Sequence, residues 1–197
     1  AYTHRWFCRY AEAREAAEAG LRLSHAVGKC TMVAACRDEG LRVNWAPGNC
    51  LFEAMCWREV GIAAREMGDY EQAQSALGSA LDLYVQAGEA VYEIHTLGNL
   101  ATLYWCLGEF EKAIDLSRRA LENCEESGLA LERRLPLGDL GAAAASLGDT
   151  DLARGCLLES LSITREIADR TQEVFCLGHL GWLYVELGQP ARALEHL

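Results

Sequence analysis

Cys176 and His179 stand three residues apart, close enough to share one face of a helix, and a thiol beside an imidazole suggests a metal site or an activated nucleophile. The surrounding residues support neither. Structural zinc takes four ligands, and the positions 40 residues earlier, Pro136 and Asp139, add only one donor. No orienting group or oxyanion donor accompanies the pair. The nine cysteines, at 8, 30, 36, 50, 56, 106, 124, 156 and 176, contain no Cys-x-x-Cys motif. Their odd count and wide spacing fit reduced thiols acting as small apolar side chains, not a disulfide framework. Glu12, Glu15 and Glu18 resemble paired carboxylates, but a spacing of three simply paints one outer helix face. No strand leads into a phosphate-cradling glycine loop. The residues therefore predict no catalytic group, no metal and no cofactor, and the chain is not expected to be an enzyme.

Charge narrows the partners. Acidic residues outnumber basic ones 29 to 18, for a net charge of −11. Binding nucleic acid requires Lys and Arg to neutralise phosphates, so this balance speaks against nucleic acid, and against an anionic membrane surface for the same reason. It favours basic segments of a protein partner. Hydrophobic residues make up 51% and charged residues 24%, a folding composition, and the 3 prolines leave long Ala-, Leu- and Glu-rich stretches free to form helix. No apolar run approaches the ~20 residues needed to span a bilayer. No signal-peptide pattern opens the sequence. Because it starts Ala1-Tyr2 and stops at Leu197 inside a helical pattern, we expect a fragment of a longer, cytoplasmic protein.

The elements that must position any site come from a repeat. Gly28, Gly68, Gly108, Gly148 and Gly188 recur every 40 residues, and Gly48, Gly88 and Gly128 fall halfway between, with Ala168 in the fourth such place. The stretch from Leu97 to Leu116, LGNLATLYWCLGEFEKAIDL, returns as LGDLGAAAASLGDTDLARGC and as LGHLGWLYVELGQPARALEH. Ile94, Leu97, Leu100, Ala101, Tyr104 and Leu107 form one face of a 3.6-period helix. Gly108 should end it in a left-handed conformation, and Glu109-Phe110-Glu111 should open the next, whose inner face is Ala113, Leu116, Ala120 and Leu121. Pro190 falls in a first helical turn, where its missing N–H is harmless. Pro136 lies where the other copies are already helical, so a kink or late start is expected there.

Four copies resemble the tetratricopeptide pattern of bulky residue, Leu, small residue, Tyr, Ala, large apolar residue, Ala. They read Trp57, Val60, Gly61, Ala64, Ala73, Leu77, Ala80; Leu97, Leu100, Ala101, Tyr104, Ala113, Ser117, Ala120; Leu137, Leu140, Gly141, Ala144, Ala153, Leu157, Ser160; and Leu177, Leu180, Gly181, Tyr184, Ala193, Leu197. A period near 40 also suits HEAT or armadillo repeats, against about 34 for the ordinary tetratricopeptide. The placement of the small residue and of the Ala pair favours the latter, in the longer form that resembles arrays in kinesin light chains, bacterial signalling ATPases and transcriptional regulators. The resemblance implies an all-α fold, a right-handed α-solenoid of antiparallel helix pairs. Residues 1–8 would end a preceding helix and 9–48 would form a degenerate repeat. Full repeats would span 49–88, 89–128 and 129–168, with a truncated repeat over 169–197.

Gly61, Gly98, Gly138, Gly141, Gly178 and Gly181 lie inside the first helices, each costing roughly 1 kcal/mol relative to Ala, and close approach of neighbouring helices is the expected offset. The resemblance further implies that the first helices line a concave face. That face would carry Arg58, Ile62 and Arg65; then His95, Asn99, Thr102 and Trp105; then Asp139; then His179 and Trp182. Met55, Glu59, Glu66, Gly98, Cys106, Leu135, Gly138, Ala142, Ala145, Ser146, Phe175, Gly178, Val185 and Glu186 complete the stripe. Asn99 could pair with a peptide main chain, donating and accepting together. For Trp105 and Trp182 two readings stay open: anchors for a partner, or packing against the adjacent repeat. Arg58 and Arg65 are expected to pair with Glu59, Glu66 or Glu93 on a solvated face. The implied function is a protein-interaction module that holds a peptide or helix of a partner, or of another domain of the same chain. The alternative is a structural spacer or self-association array within a multidomain bacterial signalling protein.

Overall fold

The computed structural model describes residues 9–22 and 51–196, which are helical apart from short connections. They form two compact units, divided at residue 89. The expected end of a preceding helix at 1–8, the bulk of the degenerate repeat at 9–48, its Gly28 and Gly48, and Leu197 lie outside the described residues. Among the described residues no helix is long and apolar enough to cross a membrane.

In the first unit, helix α1 covers residues 9–22, α2 Leu51–Glu66 and α3 Tyr70–Ala87. Leu21, Cys56, Val60 and Ala76 form its core, with Phe52 and Trp57 packed against them. In the second unit come α4 Ala90–Cys106, α5 Phe110–Glu126, a 3₁₀ turn at Ala130–Arg133, α6 Arg134–Ser146, α7 Thr150–Glu166, α8 Arg170–Glu186 and α9 Pro190–His196. Within the first unit α2 packs on α3; within the second each α-helix packs on the next, and α6 also touches both α4 and α8. The fold class is an α-solenoid of antiparallel helix pairs. The first helices of successive pairs therefore lie side by side.

One hydrogen-bonding device recurs at seven helix ends among the described residues. At the end of α2, Gly68 N donates to Arg65 O (3.0 Å) and Asp69 N to Ala64 O (2.8 Å). These two bonds define a Schellman cap and satisfy carbonyls that the helix leaves open. The same pair recurs at 88/89, 108/109, 128/129, 148/149, 168/169 and 188/189. The residue at its turn has positive φ, +80° at Gly148, which a Cβ disfavours. Ala168 adopts the same conformation at φ 58° with a side chain present. The next residue then starts the following helix: Asp69, Asp149 and Asp169 each accept from the backbone N–H three residues on. Cap and start are fused, and the helices are locked about 20 residues apart.

Pro136 delays α6 as expected. Whereas α4 and α8 begin at Ala90 and Arg170, α6 begins only at Arg134, after the 3₁₀ turn. Pro136 is thereby the third residue of its helix, among the first four whose N–H would lack an intrahelical partner. Close approach offsets the glycines at Gly61 and Gly141, where a Cβ would meet Leu77 Cγ at 2.6 Å and Leu157 Cγ at 2.7 Å. Gly138 is crowded by Gln172 and Phe175, and Gly98 faces Asp139 Oδ2 at 3.0 Å. The expectation fails at Gly178, where nothing lies within 4 Å of a Cβ. Leu107 also departs from the expected buried face. It is 38% exposed because α4 ends one residue earlier and the chain turns away.

Candidate functional site

Three first helices of the second unit, α4, α6 and α8, present adjoining rows of side chains. Their spacing follows from the helical period: Thr102 and Trp105 on α4, Asp139, Ala142 and Ser146 on α6, and Phe175, Gly178, His179 and Trp182 on α8. Trp105 and Ser146, at the C-terminal ends of α4 and α6, and Phe175, Gly178, His179 and Trp182 along the middle of α8 line an open cavity of about 410 Å³. A smaller hollow of about 50 Å³ adjoins it, lined by Ala101, Thr102, Trp105, Asp139, Ala142, Phe175 and His179.

The cavity is aromatic and partly prearranged. Trp105 Nε1 donates to Ser146 Oγ at 2.9 Å, and that hydroxyl in turn donates to Ala142 O at 3.1 Å, so the indole is held in place. The His179 ring meets Trp105 edge-on at 6.0 Å between centroids and lies 4.5 Å from Phe175. Trp105 is nevertheless 38% exposed and Trp182 48%. Trp105 thus packs on the adjacent repeat and still presents part of its surface, as Trp182 does. Burial holds the His179 imidazole below its ordinary value of 6.5. Among the described residues neither of its ring nitrogens has a hydrogen-bond partner.

The opposite end of the same face is closed by polar contacts. His95 Nε2 lies 2.9 Å from Glu132 Oε2, and Arg134 binds Glu132 at 3.0 Å and Asp169 at 3.2 Å. Ser160 Oγ donates to Arg134 O at 2.6 Å, and Gln172 Nε2 donates to the same carbonyl at 3.3 Å. Burial pushes the Glu132 carboxyl up, but the His95 and Arg134 hydrogen bonds outweigh it and hold Glu132 below its ordinary value. Asp169 is also held low, chiefly by the Gln172 backbone N–H and then by Arg134. Asn99 turns its Nδ2 back onto His95 O (3.0 Å), and Thr102 donates to Gly98 O (3.0 Å). The Asn99 amide therefore spends a donor on its own helix and is not part of the cavity wall.

Arg58, Ile62 and Arg65 lie on α2 of the first unit. Each guanidinium there is engaged by the neighbouring carboxylate, Arg58 with Glu59 at 2.9 Å and Arg65 with Glu66 at 2.8 Å. Cys176 and His179 face different surroundings despite their spacing. Cys176 is fully buried against Leu157, Leu161 and Leu180, with its Sγ 3.1 Å from Ser160 Oγ, and burial pushes its thiol up. His179 lines the cavity. Among the described residues no group of three or more His, Cys, Asp or Glu is placed to hold a metal ion. The residues that sequence reasoning missed are Glu132 and Arg134. They sit in the irregular connection before α6, where the repeat register offers no guide.

The tetratricopeptide repeat pattern matches residues 52–126 and 132–197, and the chain belongs to the tetratricopeptide repeat family. Repeats of this family generally mediate protein–protein interaction and are typically non-catalytic scaffolds. Among solved structures the chain is similar to BtubC (BKLC) from P. vanneervenii, with 17% identity and a TM-score of 0.62 over all of this chain and 89% of that one. It is also similar to a Podosopora anserina protein described as a kinesin light chain with nearly identical TPR-like repeats. A single-substitution variant of that protein gives 18% identity and a TM-score of 0.59 over all of this chain and 92% of that one. A second structure under that description gives 18% identity and a TM-score of 0.57, over 95% and 91% of the two chains. At these identities the likeness is one of fold. No curated protein sequence matches the chain.

Proposed function

We propose that this chain is a protein-interaction module in which the α4/α6/α8 face holds a segment of a partner protein, or of another domain of the same polypeptide. The observation that carries the reading is the cavity itself: two half-exposed tryptophans and a histidine without a hydrogen-bond partner surround about 410 Å³ of open space. Exposed indoles around a concavity are the usual anchors of an interface, where truncating one costs about 2 kcal/mol or more of binding. The net charge of −11 supports a protein segment over nucleic acid as the occupant.

The test is selection of binders from a displayed library of random peptides, followed by affinity measurement on the W105A/W182A variant. We expect an affinity loss of roughly a hundredfold with the helical circular dichroism intact. Peptides that bind wild type and variant equally would remove the cavity from the function.

A further inference from the structure

The cavity wall has a chemistry more specific than apolar. We propose that its occupant is an arginine side chain of a basic partner segment, with the guanidinium stacked on the Trp105 and Trp182 indoles and hydrogen-bonded to His179 and Asp139. This rests on the segment-binding reading above and names the chemistry of its anchor. Four observations on the two adjoining hollows carry it.

The first is charge. The only charged side chain lining either hollow is Asp139, and no Lys or Arg lines them. The chain as a whole is at −11, so a basic segment is favoured over an acidic one in approaching the chain from a distance. The second is the aromatic wall of Trp105, Phe175 and Trp182, whose faces attract a cation within about 6 Å, most strongly for Trp. Guanidinium is planar and weakly hydrated, so it stacks and desolvates more readily than the ammonium of lysine. The third is His179. Burial keeps its imidazole neutral at neutral pH, and a neutral imidazole offers a ring nitrogen that accepts a hydrogen bond. An aliphatic or phenyl anchor would cover that nitrogen and satisfy nothing, which carries a desolvation cost. The fourth is space. Gly178 leaves the floor open, with no atom within 4 Å of where a Cβ would stand, and a cavity of about 410 Å³ takes a long side chain together with its flanking backbone. Asp139 already has contacts within the fold. A carboxylate has about four acceptor sites, so it can add a guanidinium N–H to those it serves.

The experiment uses the peptides selected on the full chain at neutral pH. Recovered sequences should share an arginine, and its replacement by citrulline, which keeps the shape and removes the charge, should weaken binding about tenfold or more. Lysine in that place should bind several-fold more weakly than arginine. Gly178→Leu, whose Cβ meets nothing within 4 Å and whose longer side chain extends into the cavity, should abolish binding. It also provides a second blocking variant should W105A/W182A lose helicity. Peptides anchored by an apolar or aromatic residue, or indifferent to citrulline yet lost on Gly178→Leu, would overturn the arginine assignment and leave the segment-binding module standing. If no peptide binds, or if binding ignores W105A/W182A and Gly178→Leu alike, both readings fail together.

Discussion

His95 and His179 lie on the same face of the second unit, and their surroundings are opposite. At the N-terminal ends of α4, α6 and α8, His95 meets Glu132, Glu132 meets Arg134, and Arg134 meets Asp169, all within 3.2 Å. Further along the face, His179 in the middle of α8 packs against the Trp105 and Phe175 rings, and a cavity opens beside it. The irregular start of α6 makes the difference. Pro136 holds the helix back, the 3₁₀ turn carries Glu132 into reach of His95, and Arg134 becomes the first α-helical residue, able to join three elements. No such insertion reaches the other end, where Ser146 and Gly178 are too small to fill the gap between the indoles. One end of the face is stapled. The other is left for something else.

The comparison can be broken most forcefully at the staple. Arg134→Ala leaves the Glu132 and Asp169 carboxylates without their shared cation, and we expect a loss of about 3 kcal/mol in urea unfolding. Peptide affinity per folded molecule should be unchanged. A matching loss of affinity would show that the two ends do not act separately.

The next two effects come from a pair of glycines inside first helices. Gly141→Ala pushes a Cβ to 2.7 Å from Leu157 Cγ and 3.1 Å from the Ala153 carbonyl, and should cost about 2 kcal/mol through overpacking. Gly178→Ala meets nothing, and should stabilise the unit by about 1 kcal/mol through helix propensity while weakening the selected peptides. Denaturation midpoints beside binding isotherms would read both. Should Gly178→Ala stabilise without touching affinity, the open floor has no part in recognition. A smaller gain, roughly 0.5 kcal/mol, is expected for Ala168→Gly, where relief of the positive φ slightly exceeds the added freedom of the unfolded chain.

Acid titration sharpens the contrast with the least perturbation. Burial holds His179 below 6.5, so as pH falls past that value the unfolded chain takes up a proton that the native chain refuses. Stability should drop from 6.5 down to the folded value and then level off, and His179→Phe should erase that step. Asp139 on α6 is the titratable neighbour lining the same hollow. The staple behaves otherwise. Glu132 and Asp169 are held below their ordinary 4.5 and 3.8, so the stability they contribute is complete above those values. It is lost only as pH falls on through their folded values. A urea midpoint followed against pH should therefore show two separate falls, the His179 step first. A single acidic fall would mean that His179 is not held neutral by its surroundings.

Helix boundaries were legible in the residues because they are decided within a few positions of chain. A glycine at the turn, an acid one residue on and apolar steps of three and four are enough to write the cap and the next start, from Gly68-Asp69 to Gly148-Asp149. The late start at Pro136 follows from a missing N–H, which is equally local. What no local pattern could reveal is which members of the stripe find partners. His95 is answered by a residue 37 positions away, and Trp105 by a hydroxyl 41 positions away. Among the described residues the His179 ring is met by the Trp105 and Phe175 rings and by no hydrogen bond, and its counterpart two helix pairs earlier, Asn99, turns back onto its own helix. Satisfaction of a polar or aromatic side chain depends on atoms brought together across helices, and only the packed arrangement of α4, α6 and α8 decided that one end would close and the other stay open.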